Sequence, residues 1–168
     1  MKIQIVYVSK TGNTAKLAKA LAADLPVECE LVDFSKQHPT LEADAYLVGF
    51  GVQRNACPFS ILEWLETLND KQIFLFATCG LAGMQEYQRK LESLIIPFLP
   101  DNCIYHGLSL SQGSISKEGY DYFLSCMLNP KDKQSIQRLD QLYRHSQGHP
   151  SQQDIDVIST SIRQKLSL

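Results

Sequence analysis

Ile3-Gln4-Ile5-Val6-Tyr7-Val8-Ser9-Lys10-Thr11-Gly12-Asn13-Thr14 holds two patterns that meet at Ser9. Ile3–Val8 is a near-continuous apolar, β-branched run, as a strand covered on both faces requires. From Ser9 the side chains turn small and hydroxylated, with one glycine. A helical stripe follows over Thr14–Leu25: Leu17, Ala18, Leu21, Ala22 and Leu25 share a face, and Lys16 and Lys19 lie off it. Outward from this unit the alternation repeats. Val27–Phe34, Ala45–Phe50, Gln72–Ala77 and Cys103–Leu110 read as further strands, with helical segments at Ile61–Leu68 and Tyr87–Leu94. Strands that alternate with helices build an α/β domain around a parallel sheet.

The strands are unequal, and that orders them. Ile3–Val8, Ala45–Phe50 and Gln72–Ala77 are apolar throughout and read as central. Val27–Phe34 carries Glu28, Glu30 and Asp33, and Cys103–Leu110 alternates Ile104, His106, Leu108 and Leu110 with Tyr105, Gly107 and Ser109. Those two read as edges, which gives a doubly wound five-stranded sheet of order 2-1-3-4-5 with helices on both faces. No sixth strand candidate follows Leu110, so a six-stranded dinucleotide fold is disfavoured. The remainder reads as helices at Glu118–Leu128, Ser135–Arg144 and Ser151–Leu166. Pro150 stops the preceding segment, Ser151 is placed to cap, and Asp154 stands three residues on. Asn129–Lys133 reads as a turn rather than a linker, so residues 1–168 are expected to form a single domain.

Composition narrows the functional classes. The 168 residues include 16 Lys+Arg against 18 Asp+Glu, with 44% apolar and 20% charged residues. A chain of this length buries about 70% of its unfolded surface without staples. A net charge of -2 offers no basic nucleic-acid surface. No apolar run approaches the roughly 18 residues of a membrane span, and no signal-peptide anatomy is present. Cys29, Cys57, Cys79, Cys103 and Cys126 contain no CxxC pair. They read as reduced thiols, which predicts a cytoplasmic protein without a zinc site or disulfide framework.

In open parallel sheets, ligands bind beyond the carboxyl ends of the strands where the strand order reverses. Three loops converge there: Ser9–Thr14, Gly51-Val52-Gln53-Arg54-Asn55-Ala56-Cys57-Pro58, and Thr78-Cys79-Gly80-Leu81-Ala82-Gly83. All are rich in small residues and none holds a carboxylate. Ser9, Thr11 and Thr14 offer hydroxyl donors, Gly12 permits a tight turn, and a helix opening at Asn13 or Thr14 adds free N–H groups and a positive dipole end. A phosphate held there would accept charge-assisted bonds of roughly 1.5–3 kcal/mol each. The loop is neither GxxxxGK[ST] nor GxGxxG. Its plain alternative is a Ser/Thr turn that only caps a helix, with Lys10 either assisting the phosphate or solvated.

The stretch Ser9-Lys10-Thr11-Gly12-Asn13-Thr14 resembles the [ST]-x-T-G-x-T phosphate loop of the flavodoxin family. The resemblance spans about Met1 to Leu110 and the last helix. It implies a flavodoxin-like fold and non-covalent FMN. The phosphate is then expected on Ser9, Lys10, Thr11, Gly12, Asn13 and Thr14. The ring is expected between Gly51, Val52, Gln53, Arg54 and Asn55 on one side and Thr78, Cys79, Gly80 and Gly83 on the other. It also implies electron transfer with a redox partner protein, a reductase or an acceptor enzyme. The alternatives are an FMN-dependent NAD(P)H oxidoreductase acting on quinones or another small acceptor, and a flavodoxin-shaped interaction module without flavin. A phospho-receiver is disfavoured, because the carboxylates it needs after strands one and three are missing.

Several features depart from the family pattern. Neither ring loop has an aromatic residue; Phe50 and Phe59 flank the first and could move in, and Trp64 reads as packing. The chain is not strongly acidic. The segment after Leu110, with Gln112-Gly113 and His149-Pro150, marks a divergent branch. Arg54 is the one charge between Gly49 and Leu62, either aimed at the ring, where it would ease full reduction, or solvated. Cys57 and Cys79 near the ring read as inert thiols rather than a redox pair, His106 and His149 as structural, and Tyr120, Tyr122 and Phe123 as a core-packing cluster.

Overall fold

The structure is a computed structural model that describes residues 1–80, 85–126 and 132–168. Five strands, β1 (Ile3–Val8), β2 (Cys29–Asp33), β3 (Ala45–Gly51), β4 (Gln72–Cys79) and β5 (Ile104–Gln112), form one sheet of order β2-β1-β3-β4-β5. Every neighbouring pair is parallel, with Ile3 of β1 opposite both Cys29 and Ala45. The helices are α1 (Asn13–Asp24), α2 (Phe59–Leu65), α3 (Gln85–Ile95), α4 (Lys117–Ser125), α5 (Lys133–Ser146) and α6 (Gln152–Leu166), with a short 3-10 turn at Ile96–Phe98.

Alternate residues of each central strand feed two separate cores. Val6, Val48, Phe50 and Leu75 pack with Ile61 and Leu65 of α2 and Leu91 and Ile95 of α3. Ile5, Leu47, Phe74 and Phe76 pack with Leu17 and Leu21 of α1 and Ile155, Ile158 and Ile162 of α6 on the opposite face. Two buried faces on a period-two backbone explain why these strands read as unbroken apolar runs. Gln4 is the exception: it is fully buried in β1 and donates through Nε2 to Glu30 Oε2 at 2.8 Å. Gly49 of β3 is required by contact, since a Cβ there would stand 2.2 Å from the Phe76 ring.

Three sequence expectations shift. The strict alternation expected of β5 is broken by a bulge: Ile73 faces Tyr105 while Leu75 faces Leu108, and Gly107 takes φ +109. Leu108 and Ser111 are buried as a result, and Ile104 is exposed. The Glu92 carboxylate seals the bulge by accepting from Tyr105 Oη at 2.7 Å and Leu108 N at 3.2 Å. Secondly, β4 runs on through Thr78 and Cys79, so two residues expected in a loop are strand-borne. Thirdly, the aromatics of α4 are not core: Tyr122 is 66% and Phe123 46% exposed, and α4 buries no residue.

Trp64 does pack, 5.6 Å from both Phe34 and Tyr46. The expected turn at Asn129–Lys133 lies largely outside the described residues, with Lys133 opening α5. Among the described residues no helix is long and apolar enough to cross a membrane.

Candidate functional site

An open cleft of about 240 Å³ lies beyond the carboxyl ends of β1, β3 and β4. Its floor is a hydroxyl pair: Thr14 Oγ1 and Thr78 Oγ1 lie 2.8 Å apart and both residues are buried. One hydroxyl donates to the other, which leaves one proton of the pair to give elsewhere. Gly51 keeps the space above them open, because a Cβ there would sit 3.5 Å from Thr14 Oγ1 and 3.9 Å from Thr78 Oγ1.

The loop between β1 and α1 uses its oxygens as acceptors and so retains its protons. Ser9 Oγ accepts from Gly12 N at 3.1 Å, and Thr11 Oγ1 accepts from Asn13 Nδ2 at 3.3 Å. Gly12 is the N-cap of α1 at φ +88, a conformation that favours glycine, and no side chain caps this helix. By contrast α4, α5 and α6 are capped by Ser116, Asp132 and Ser151. The first intrahelical bond runs from Lys16 N to Gly12 O at 2.9 Å, so the preceding N–H groups at the tip of α1 face the cleft end of the sheet without intrahelical partners. Among the described residues lining the cleft Lys10 is the one that is charged, and no carboxylate joins it. Donor hydroxyls, uncapped amides and a lysine together fit an anion.

Beyond β3 the chain makes a two-residue hairpin. Gln53 and Ala56 exchange backbone bonds of 3.0 and 2.9 Å, and Arg54 and Asn55 take φ 49 and 64. Two left-handed non-glycine residues cost about 1–2 kcal/mol each, a strain held in place by the pairing around it. Tyr87 of α3 steadies the tip by donating from Oη to Asn55 Oδ1 at 3.1 Å. Burial, then the neighbouring Cys79 thiol, raises the Tyr87 phenol above its ordinary value. Cys57 lies beneath the hairpin, and burial pushes its thiol up to about 12.

The structure therefore gathers Lys10, Thr11, Asn13, Thr14, Gly51 and Val52 at one cleft, with Gln53, Thr78, Cys79 and Gly80 completing the strand ends. Ser9 and Gly12 shape the first loop without lining the cleft, while Arg54 and Asn55 ride exposed on the hairpin tip. Gly83 lies outside the described residues. The remaining wall escaped sequence reasoning: Ser114, Ile115, Ser116, Gly119 and Phe123, from the segment between β5 and α4 and from α4 itself.

This wall is tied to both strand ends. Asn13 Nδ2 donates to Ser114 O at 2.9 Å, and a Cβ on Gly113 would come 2.8 Å from that same Nδ2. Gln112 Nε2 donates to Gly80 O at 2.7 Å, and Ser114 Oγ donates to His149 O at 2.6 Å. The glycine at 113, where the chain must pass Asn13 closely, was the one local sign of this wall in the sequence.

A family model described as "Flavodoxin domain" matches residues 4–163. The chain belongs to the flavodoxin family. A curated relative, the flavodoxin-like domain-containing protein BilS of Clostridioides difficile (strain CD3), is 29% identical over 164 residues, covering 92% of this chain and 90% of the relative. A flavodoxin from the domain Archaea superposes with a TM-score of 0.51 at 18% identity, covering 87% of this chain and 99% of its own. A flavoprotein in complex with FMN from Lactobacillus acidophilus NCFM gives a TM-score of 0.51 at 17% identity, over 65% of this chain and 92% of its own. At such identities these structures speak for the flavodoxin fold, whose strand order is the one seen here.

Proposed function

We propose that this flavodoxin-family protein binds FMN and carries electrons between a reductase and an acceptor enzyme. The observation that supports it most is the cradle at the tip of α1: uncapped amides, Thr11, and the Thr14–Thr78 hydroxyl pair, with Lys10 near and no carboxylate among the described residues of the cleft. Such a set binds a phosphate dianion through charge-assisted bonds without a metal. The cleft is smaller than the ~300–1,000 Å³ of enclosed ligand pockets, so a mononucleotide would extend past its rim. FMN, when bound, supplies the electron chemistry, and the protein supplies position and field. Thr14 and Thr78 would orient the phosphate end and Gly51 would admit it, with Gly80 also lining the cleft.

A carrier needs an exposed cofactor edge rather than a substrate pocket, and the open cleft suits that role. No acid, base or nicotinamide-binding group lines it alongside Lys10 among the described residues. A cytoplasmic setting belongs to the same reading, on the odd and scattered set of five cysteines in the sequence.

The test is a titration of the purified chain with FMN, followed by NAD(P)H oxidation assays of the loaded protein. Tight FMN binding with slow NAD(P)H turnover, accelerated by an added flavodoxin reductase, is the expected result. Rapid turnover without a reductase would make it an oxidoreductase. Absence of FMN binding at millimolar concentration would make it a flavin-free interaction module.

A further inference from the structure

We infer that α4, inserted between β5 and α6, supplies the aromatic face for the flavin ring, through Phe123. This inference rests on the FMN reading above. Three observations carry it. The loops after β3 and β4 contain no aromatic side chain to cover a ring. Phe123 lines the same cleft as the anion cradle and is 46% exposed. Finally, α4 buries none of its residues in the sheet's cores, so Phe123 has no packing role there.

The helix is held where such a role needs it. Ser116 caps it by accepting from Gly119 N at 3.0 Å. Gly119, one turn before Phe123, also lines the cleft, so α4 presents both residues to it. Ile115, just before the cap, crowds Gly80 so closely that a Cβ there would meet Ile115 Cγ1 at 3.2 Å. On its other side α4 leans on α5, with Tyr120 against Tyr143 at 4.9 Å between ring centroids. A hydrogen bond with Cys126 raises the phenol of the neighbouring Tyr122, and the Arg54 charge works against that rise. The cleft is thus walled in part by α4. A large apolar side chain left half in water beside a polar cradle gains most by covering a flat heterocycle, through area and offset stacking together.

The experiment compares wild type with Phe123→Ala, Phe123→Leu and Phe123→Trp by FMN fluorescence titration, with inorganic phosphate as a competing probe. Phe123 is solvent-accessible, so the variants fold, and circular dichroism verifies it. The Ala and Leu variants should bind FMN about tenfold more weakly, the scale of one stacked ring. Their bound flavin should fluoresce more strongly. The Trp variant should restore affinity and quenching. Phosphate competition should be unchanged, because the cradle is intact. Wild-type affinity and quenching in Phe123→Ala would overturn the inference alone, as would an equal loss of phosphate binding. A wild-type protein that does not bind FMN would overturn the functional reading and this inference with it.

Discussion

Thr14 does two things at once: it is buried against Thr78 under the cleft, and the pair keeps one hydroxyl proton to give. Replacing Thr11 and Thr14 together with valine is expected to weaken FMN binding by about 2–4 kcal/mol, since two charge-assisted bonds disappear. Fluorescence titration reads this directly, and affinity equal to wild type would locate the phosphate elsewhere. The hydroxyls of this loop were legible because Ser9, Thr11 and Thr14 are local in sequence. The pairing of Thr14 with a threonine on another strand was not, because it depends on where β4 ends. A second prediction concerns thiols. With its pKa pushed up to about 12, Cys57 remains protonated at pH 8 and resists iodoacetamide in the native state, whereas exposed Cys126 is alkylated. Peptide mapping after brief labelling distinguishes them, and comparable labelling of both would contradict the burial.

Among the elements, α6 is the one whose start the sequence declared fully. Ser151 accepts from Asp154 N at 3.3 Å, and Asp154 Oδ2 accepts from Ser151 N at 2.6 Å, closing a capping box. The same carboxylate oxygen accepts from His149 Nδ1 at 2.6 Å. Burial works to raise the Asp154 carboxyl, but the Ser151 amide, the His149 ring and the Ser151 hydroxyl outweigh it and hold the group below its ordinary value of 3.8. A carboxyl depressed in the folded state stabilises fully above its unfolded value, and that gain is lost as pH falls through the folded value. Asp154→Asn should therefore cost about 1 kcal/mol in urea unfolding at pH 7, and progressively less below the carboxylate range. A constant difference down to pH 2 would refute this. The edge strand β5 shows the opposite case. Its alternation looked regular, yet the bulge at Gly107 reassigns the buried face, because register depends on the neighbouring strand.

For the molecule as a whole, ligand and fold are linked. FMN at one hundred times its dissociation constant should stabilise the native state by about 2.7 kcal/mol. At this chain length that raises Tm by roughly 5–10 °C. Differential scanning fluorimetry with FMN measures it, and an unmoved Tm would separate the flavodoxin fold from flavin binding. A net charge of -2 gives little long-range steering, so association with a partner should depend on close fit more than on salt. The sequence by itself determined the five strands, their order and the hydroxyl-rich turn after the first strand, because each follows from periodicity and residue type within a few positions. Only the tertiary structure decided the fourth wall of the cleft. Ser114, Ile115, Ser116, Gly119 and Phe123 reach it by coming back across the ends of β1 and β4, and Asn13 finds Ser114 across 101 residues of chain. Amphipathic spacing reports which side of a helix is apolar but not what that side will meet. For α4 the answer was a cleft rather than a core, and it rests on contacts between residues far apart in the chain.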